Sequence, residues 1–265
     1  MTVGTMHLQY EGPNEGEFLL LVGEWDPPLP AQAMLFREAV EAAELSGLNV
    51  LVVTLYPSPS RYFLGATYHM PFHDVVARQF LQAKSGVQTR AVVSLSQFEA
   101  EKCGADFLIS GLCRTFSIAQ FAQGARQNLG IGGLGDSRAI ADACDKHMIR
   151  LSRLSPASHR LPIADARGHL RNGMVRRSVD LFGFPLCWSR PHDGYVSVPW
   201  PAGHYTAYQL SEPFLPSTEF GAAISIDLKP FGELSRFWWP NKAVPWLGFI
   251  AGPGDAAADH NRLFQ

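Results

Sequence analysis

Three stretches of this 265-residue chain hold groups able to do chemistry: Gly23-Glu-Trp-Asp26, the segment around His69 and His73, and the glycine run Gly130-Ile-Gly-Gly-Leu-Gly135. Asp26 offers a carboxylate just past an apolar run, a candidate general acid or base that is equally a common turn-former or helix cap. His69 and His73 stand four apart and are followed by Asp74, a spacing that would put both imidazoles on one face of a helix. Pro71 between them argues against a continuous helix, and with no third ligand evident nearby a metal site is not predicted. Histidine titrates near neutrality, so His69 and His73 are acid/base candidates; the competing reading is a loop in which aromatic side chains pack on both rings. The glycine run, with Gly133 and Gly135, opens a helix-like stretch and could cradle phosphate through backbone amides. It lacks the lysine of a phosphate-binding loop and a convincing preceding strand, so a plain tight turn stays open beside that reading.

The elements that must position these groups begin with Phe18–Val22, continuously apolar, too short for a helix and ended by Gly23, the pattern of a strand buried on both faces of a parallel sheet. A proline-rich turn, Trp25–Pro30, leads into a helix to about Leu45, with Pro30 at its start and Met34, Leu35, Phe36, Ala39, Val40 and Ala43 forming the apolar stripe. Val50–Leu55 is a second buried strand. The unit is thus β-turn-α-β, and in open α/β sheets ligands bind beyond the strands' C-terminal ends, where a helix N-terminus favours anions. That places the first candidate site at Gly23, Glu24, Trp25 and Asp26.

Further along, the pattern predicts a helix over Asp74–Ala83, another after Ser96 with Glu99 completing a capping box, a strand over Ala105–Ile109 and a helix over Ser117–Asn128. It then predicts a helix over Asp136–Met148, a strand over Ile149–Leu154 and a short helix over Gly173–Phe182. Beyond Pro185 helical periodicity stops. Prolines and aromatics crowd in, and short strands at His204–Leu210, Phe220–Leu228, Ser235–Trp239 and Val244–Ile250 suggest a barrel or curled sheet. Trp238, Trp239 and Trp246 read as barrel core or as the surface of a homodimer.

Composition narrows the function class. With 46% hydrophobic and 17% charged residues the chain is globular, and a net charge of −2 argues against nucleic acid and anionic membrane, leaving a small-molecule partner. Residues 1–17 are polar and lack a signal-peptide core, and no apolar run reaches the roughly 18 residues needed to span a membrane. Cys103, Cys113, Cys144 and Cys187 have no C-x-x-C spacing and read as reduced thiols of a cytoplasmic protein.

Several landmarks then fall in a recognisable order. They are Val22-Gly-Glu-Trp-Asp26, Val53-Thr-Leu-Tyr-Pro-Ser-Pro59, Ser94–Lys102 with Gly104-Ala-Asp106, Ser117-Ile-Ala-Gln-Phe121, and Arg167 with Gly173-Met-Val175 and Leu181-Phe-Gly-Phe-Pro185. Together they resemble the bifunctional bacterial FAD synthetase family, across nearly the whole chain. The resemblance implies a nucleotidyltransferase-like, Rossmann-like parallel-sheet domain over residues 1–185 and a small riboflavin-kinase-like β-barrel over 186–265. It also implies ligand-binding roles for Gly23, Glu24, Trp25, Gln32, Tyr56, Gly133, Gly135 and Arg167.

The departures from that family bear on function. Where it has His-x-Gly-His this chain has Leu29-Pro-Ala-Gln32, and where it has Ser-Ser-Thr-x-Ile-Arg this chain has Pro162-Ile-Ala-Asp-Ala-Arg167, with Asp165 an added acid that repels triphosphate. The kinase Gly-Phe-Pro-Thr-Ala-Asn motif is not found; Gly194–Trp200 is its nearest remnant. Loss of several charge-stabilising donors, each worth about 10²–10³ in rate, implies that the adenylyl and phosphoryl chemistries are gone. Three readings follow. One is a repurposed enzyme of a biosynthetic pathway working on a small aromatic or heterocyclic molecule, with Asp26, His69, His73, Asp165 and His169 as acid/base candidates and no required cofactor. The second is an atypical FMN adenylyltransferase using ATP, and the third a non-catalytic protein that retains FMN, FAD or nucleotide binding.

Overall fold

The computed structural model of the chain describes residues 6–27, 30–59, 61–64, 70–102, 104–123, 129, 135–154, 163–189, 194–214, 221–231, 234–239 and 245–255. It divides into two compact units, Met1–Gly65 with Arg78–His159, and Ala66–Ala77 with Arg160–Gln265.

The first unit is built on a six-stranded sheet. Its elements run β1 (His7–Glu11), β2 (Glu17–Gly23), α1 (Pro30–Ser46), β3 (Asn49–Leu55), α2 (Arg61–Leu64), α3 (Val75–Lys84, whose first three residues fall in the second unit), β4 (Thr89–Ser94), α4 (Gln97–Lys102), α5 (Ala105–Leu112), β5 (Ser117–Gln123), α6 (Ser137–Lys146) and β6 (Arg150–Arg153). Strand order is β1-β4-β3-β2-β5-β6; β1 is antiparallel to β4 and all other pairings are parallel. The chain therefore works outward from β2 in one direction and, after β4, returns to work outward in the other.

The unbroken apolar run of β2 follows from burial on both sides. Phe18, Leu20 and Val22 join Leu51, Val53 and Leu55 under Ala105, Leu108 and Ile109 of α5 and Ile140, Ala143 and Cys144 of α6. Leu19 and Leu21 join Val50 and Val52 under Phe36, Ala39 and Ala43 of α1. Each such side chain taken out of water contributes about 1.5–3 kcal/mol, so a polar residue here would be costly on either face. Sequence pattern and structure agree on β2, α1, β3, α3, α6 and β6, and on the capping box, where the Glu99 carboxylate accepts from the Ser96 amide (2.7 Å) and hydroxyl (2.8 Å).

Two elements differ from the pattern, each for a physical reason. The segment starting at Ser117 is strand β5 and not a helix. Its register on β2 slips by one residue between Phe18 and Leu19, so Ile118 and Phe121 face the same core three residues apart, and a bulge imitates helical spacing. Ala105–Leu112 is helix α5 and not a strand: Ala105, Leu108, Ile109 and Leu112 are its buried residues, a stripe completed only by Leu112, beyond the five-residue window read as a strand.

The second unit holds α7 (Ile163–Arg171), α8 (Val175–Phe182) and strands β7 (Leu186–Ser189), β8 (Tyr195–Val198), β9 (Gly203–Leu210), β10 (Ala223–Phe231), β11 (Leu234–Trp238) and β12 (Trp246–Ala251). The strands form an antiparallel, curled half-barrel in the order β7-β12-β9-β10-β11-β8; among the described residues no pairing joins β7 to β8 to close it. Its core is aromatic: Trp200 lies edge-on to Trp188 (5.4 Å) and to Phe249 (5.0 Å), beside the buried Tyr205. In this unit α7 and α8 pack with the half-barrel: the Arg176 amide donates to Asp255 (3.0 Å), and Gly173 and Gly252 approach so closely that a Cβ on Gly252 would lie 2.3 Å from the Gly173 carbonyl. Trp239 and Trp246 are core, whereas Trp238 is exposed. Among the described residues of the whole chain, no helix is long and apolar enough to cross a membrane.

Candidate functional site

The first sheet changes direction of build between β2 and β5, and ligands of open α/β sheets bind at that reversal, beyond the strands' C-terminal ends. Four of the residues singled out from sequence lie at the end of β2: Gly23, Glu24, Trp25 and Asp26. Tyr56 follows β3, and Gln32, half-buried, sits in the first turn of α1.

Trp25 is the conformational oddity. Its φ is +54°, a left-handed backbone that a bulky residue adopts only when the surroundings hold it there. Here the indole Nε1 donates to the Val53 carbonyl at 2.9 Å and the ring meets Phe36 edge-on at 5.0 Å. The ring also covers Gly23, where a Cβ would sit 2.9 Å from it, so residue 23 must lack a side chain for Trp25 to occupy this position.

Behind that turn lies a buried charge pair that the sequence pattern did not flag. Arg78 of α3 reaches the β2 end, its Nη2 3.3 Å from Asp26 Oδ2 and its Nη1 donating to the Glu24 carbonyl at 3.0 Å. The Asp26 and Arg78 side chains are 2% and 3% exposed, which makes this a desolvated pair and not a surface bridge. The guanidinium also lies 5.2 Å over the Tyr56 ring. Ser58 donates to the Glu24 carboxylate, and one turn along α3 Gln82 Nε2 donates to the Thr54 hydroxyl at 3.0 Å, both fully buried. A signal was present: Arg78 and Gln82 stand four apart on the stripe of α3 where apolar residues belong. Among the described residues at this rim, the buried guanidinium of Arg78 is neutralised by the Asp26 carboxylate beside it.

Across the reversal, β5 ends at Gln123, whose Nε2 donates to Ser137 Oγ at 3.0 Å. Gly135 closes the glycine loop: its carbonyl accepts from the Leu129 amide at 2.7 Å, and a Cβ would fall 1.2 Å from the Leu129 oxygen. Asp136 then caps α6, accepting from the amides of Arg138 (3.0 Å) and Ala139 (2.8 Å). Those are the amides a phosphate would use, and they already hold an anion. Gly133 lies outside the described residues.

The other predicted residues lie in the second unit. His73 is wholly buried, its Nε2 3.4 Å from the Pro185 carbonyl and its ring against Phe184 (5.7 Å) and Phe214 (5.4 Å): the aromatic-packed histidine, in a position closed to solvent. Asp74 caps α3 through the Ala77 amide (2.8 Å) and accepts from the Ser189 amide (2.7 Å) and hydroxyl. Arg167 stacks 5.7 Å over Phe72, while Asp165, on the same helix α7, is exposed. His69 lies outside the described residues. Among those described, no group of three or more His, Cys, Asp or Glu is placed to hold a metal ion.

No protein-family model matches the chain, and no curated protein matches it. Solved structures do, 22 chains of them. One is a macrolide-efflux protein from Streptococcus pneumoniae, 13% identical, with a TM-score of 0.59 over 95% of this chain and 90% of that one. At that identity the likeness is one of fold: the two-unit α/β architecture is shared along nearly the full length of both chains.

Proposed function

We propose that the chain carries a nucleotidyltransferase-like scaffold of the FAD synthetase kind, turned from adenylyl transfer to a small aromatic or heterocyclic molecule, which it works on by proton transfer at the crevice beyond β2 and β3. The observation that carries this reading is the buried Asp26–Arg78 pair at the strand ends. Arg78 fixes the Asp26 carboxylate in one orientation, and Tyr56 and Trp25 supply flat apolar surface beside it. A planar ligand that stacks there and hydrogen-bonds the turn that this pair holds in place matches these groups; triphosphate, which needs uncommitted positive charge, does not. Gln32, in the first turn of α1, adds a neutral amide to this set.

A second reading, a non-catalytic binding protein, is favoured by one observation. His73 is sealed in the second unit's core, so of the pair His69 and His73 the described member is closed to solvent, while His169 of α7 is only half-buried.

Thermal shift of the full chain separates the readings, since a ligand that binds only the folded state raises the melting point by mass action. Planar heterocycles are expected to stabilise it and Asp26→Asn to abolish that shift. Conversion of FMN and ATP to FAD by the purified chain would refute the proposal. Stabilisation by FMN without turnover would favour the binding protein.

A further inference from the structure

The outward face of the second unit's sheet carries a separate constellation that the crevice does not use. Alternation along β9 and β10 turns Tyr205, Ala207, Ile226 and Leu228 into the core and sends His204, Thr206, Ser225 and Asp227 the other way. The antiparallel register sets Asp227 directly opposite His204, and Ser225 opposite Thr206. His204 Nδ1 lies 2.7 Å from Asp227 Oδ1, and Ser225 Oγ hydrogen-bonds His204 Nε2. An ionised carboxylate can only accept, so Nδ1 carries the ring's proton; in the neutral imidazole Nε2 is then an acceptor, and the Ser225 hydroxyl donates to it. One imidazole thus joins a carboxylate that orients it to a hydroxyl it can deprotonate, the bonding order of an activated serine.

We propose that Ser225, His204 and Asp227 form a second site, one that hydrolyses small carboxylic esters. Ser225 Oγ attacks the carbonyl carbon while its proton passes to His204 Nε2. The carbon–oxygen bond to the leaving alkoxide breaks, and that alkoxide takes the proton from Nε2. Water, deprotonated by the same nitrogen, then cleaves the seryl ester, releasing the carboxylic acid and restoring the hydroxyl. Thr206 is the donor placed for the tetrahedral oxyanion, since directly opposed side chains have Cβ atoms about 4.5–5.5 Å apart. Asp227 is a positioning residue that acts through the ring.

Exposure sets the substrate class. The His204 and Asp227 side chains are 66% and 72% exposed, and the sheet offers no walls around them. The site therefore takes unhindered, activated esters with short acyl groups and does not select for chain length. Water also weakens the charge stabilisation that an enclosed triad enjoys, so turnover is modest.

The experiment uses the full chain with p-nitrophenyl acetate and, in parallel, a fluorophosphonate probe followed by peptide mass spectrometry. The expected results are hydrolysis above the buffer rate, at least about tenfold lower in Ser225→Ala and His204→Ala, and a phosphonate adduct on Ser225. Asp227→Asn can still hold the ring but can donate to Nδ1, which favours the wrong tautomer; it should lower kcat with KM unchanged. A purely structural cross-strand pair predicts instead that wild type and Ser225→Ala hydrolyse equally and that the probe leaves Ser225 unmodified; either result overturns the proposal. The labelling arm needs no variant, so it decides the matter even if a substitution unsettles the strand.

Discussion

Replacing Arg78 with methionine keeps the stem of the side chain and removes its charge, leaving the Asp26 carboxylate buried without its guanidinium. At 3.3 Å and an effective dielectric near 20, the direct attraction is about 5 kcal/mol, partly offset in the native protein by the cost of desolvating both groups. Breaking a buried pair by removing one partner costs about 3–5 kcal/mol in general, and the lost bond to the Glu24 carbonyl falls within that range. Asp26→Asn should cost less, about 2 kcal/mol, because Arg78 keeps that carbonyl and the Tyr56 ring. The double substitution should be milder than the sum by about 2–3 kcal/mol, since the second change removes the charge that the first orphaned. Native-state hydrogen exchange on peptides covering 18–23 and 50–55 reads this within the first unit and avoids assuming that both units melt together. The most protected amides of Arg78→Met should exchange about 10² to 10⁴ times faster. An effect below tenfold, or strict additivity in the double variant, would refute the claim that the two residues act as one buried pair.

Three further outcomes are expected. Gly23→Ala drives a methyl into the Trp25 ring and should cost about 1–3 kcal/mol by thermal melting, with most of it recovered in Gly23→Ala combined with Trp25→Ala relative to Trp25→Ala alone. Asp106 accepts from Lys146 at 2.8 and 2.9 Å and from His147, and chiefly the Lys146 bond holds its carboxyl below the ordinary 3.8. A depressed folded value means the stabilisation is complete above 3.8 and is lost as the pH falls through the folded value. Asp106→Asn should therefore reduce the melting point at neutral pH slightly, under about 1 kcal/mol for so exposed a pair, and flatten its fall below about pH 4. Burial pushes the thiols of Cys144 and Cys187 up to about 11 and about 12, so a maleimide at neutral pH should label exposed Cys113 and spare these two until the chain unfolds, as peptide mass spectrometry can follow.

Period and composition made the parallel core legible, because strands covered on both faces leave no polar positions and helices over them leave a stripe. What misled were places where one local irregularity changes the period. A single bulged residue gave β5 the spacing of a helix, and a window ending at Ile109 hid the last turn of α5. In the same way the turn residues Gly23 to Asp26 were recoverable from strand-end logic, but their partner Arg78 was not. It arrives from a helix 52 positions later in the chain than Asp26 and announces itself only as a charge on an apolar stripe. The ester-cleaving constellation on β9 and β10 depends on register alone: residues 204, 225 and 227 are ordinary in sequence and become neighbours when the two strands pair.

The central place of β2 has a consequence for synthesis. Its partner β3 leaves the ribosome about 30 residues behind it, but its other neighbour, β5, is complete only at Gln123, so one edge of this apolar strand must wait roughly a hundred residues for its cover. During that wait a nascent chain offers a ready template to any other extended segment, so a trigger-type chaperone that shields Phe18–Val22 until residue 123 has emerged should raise the yield of this protein.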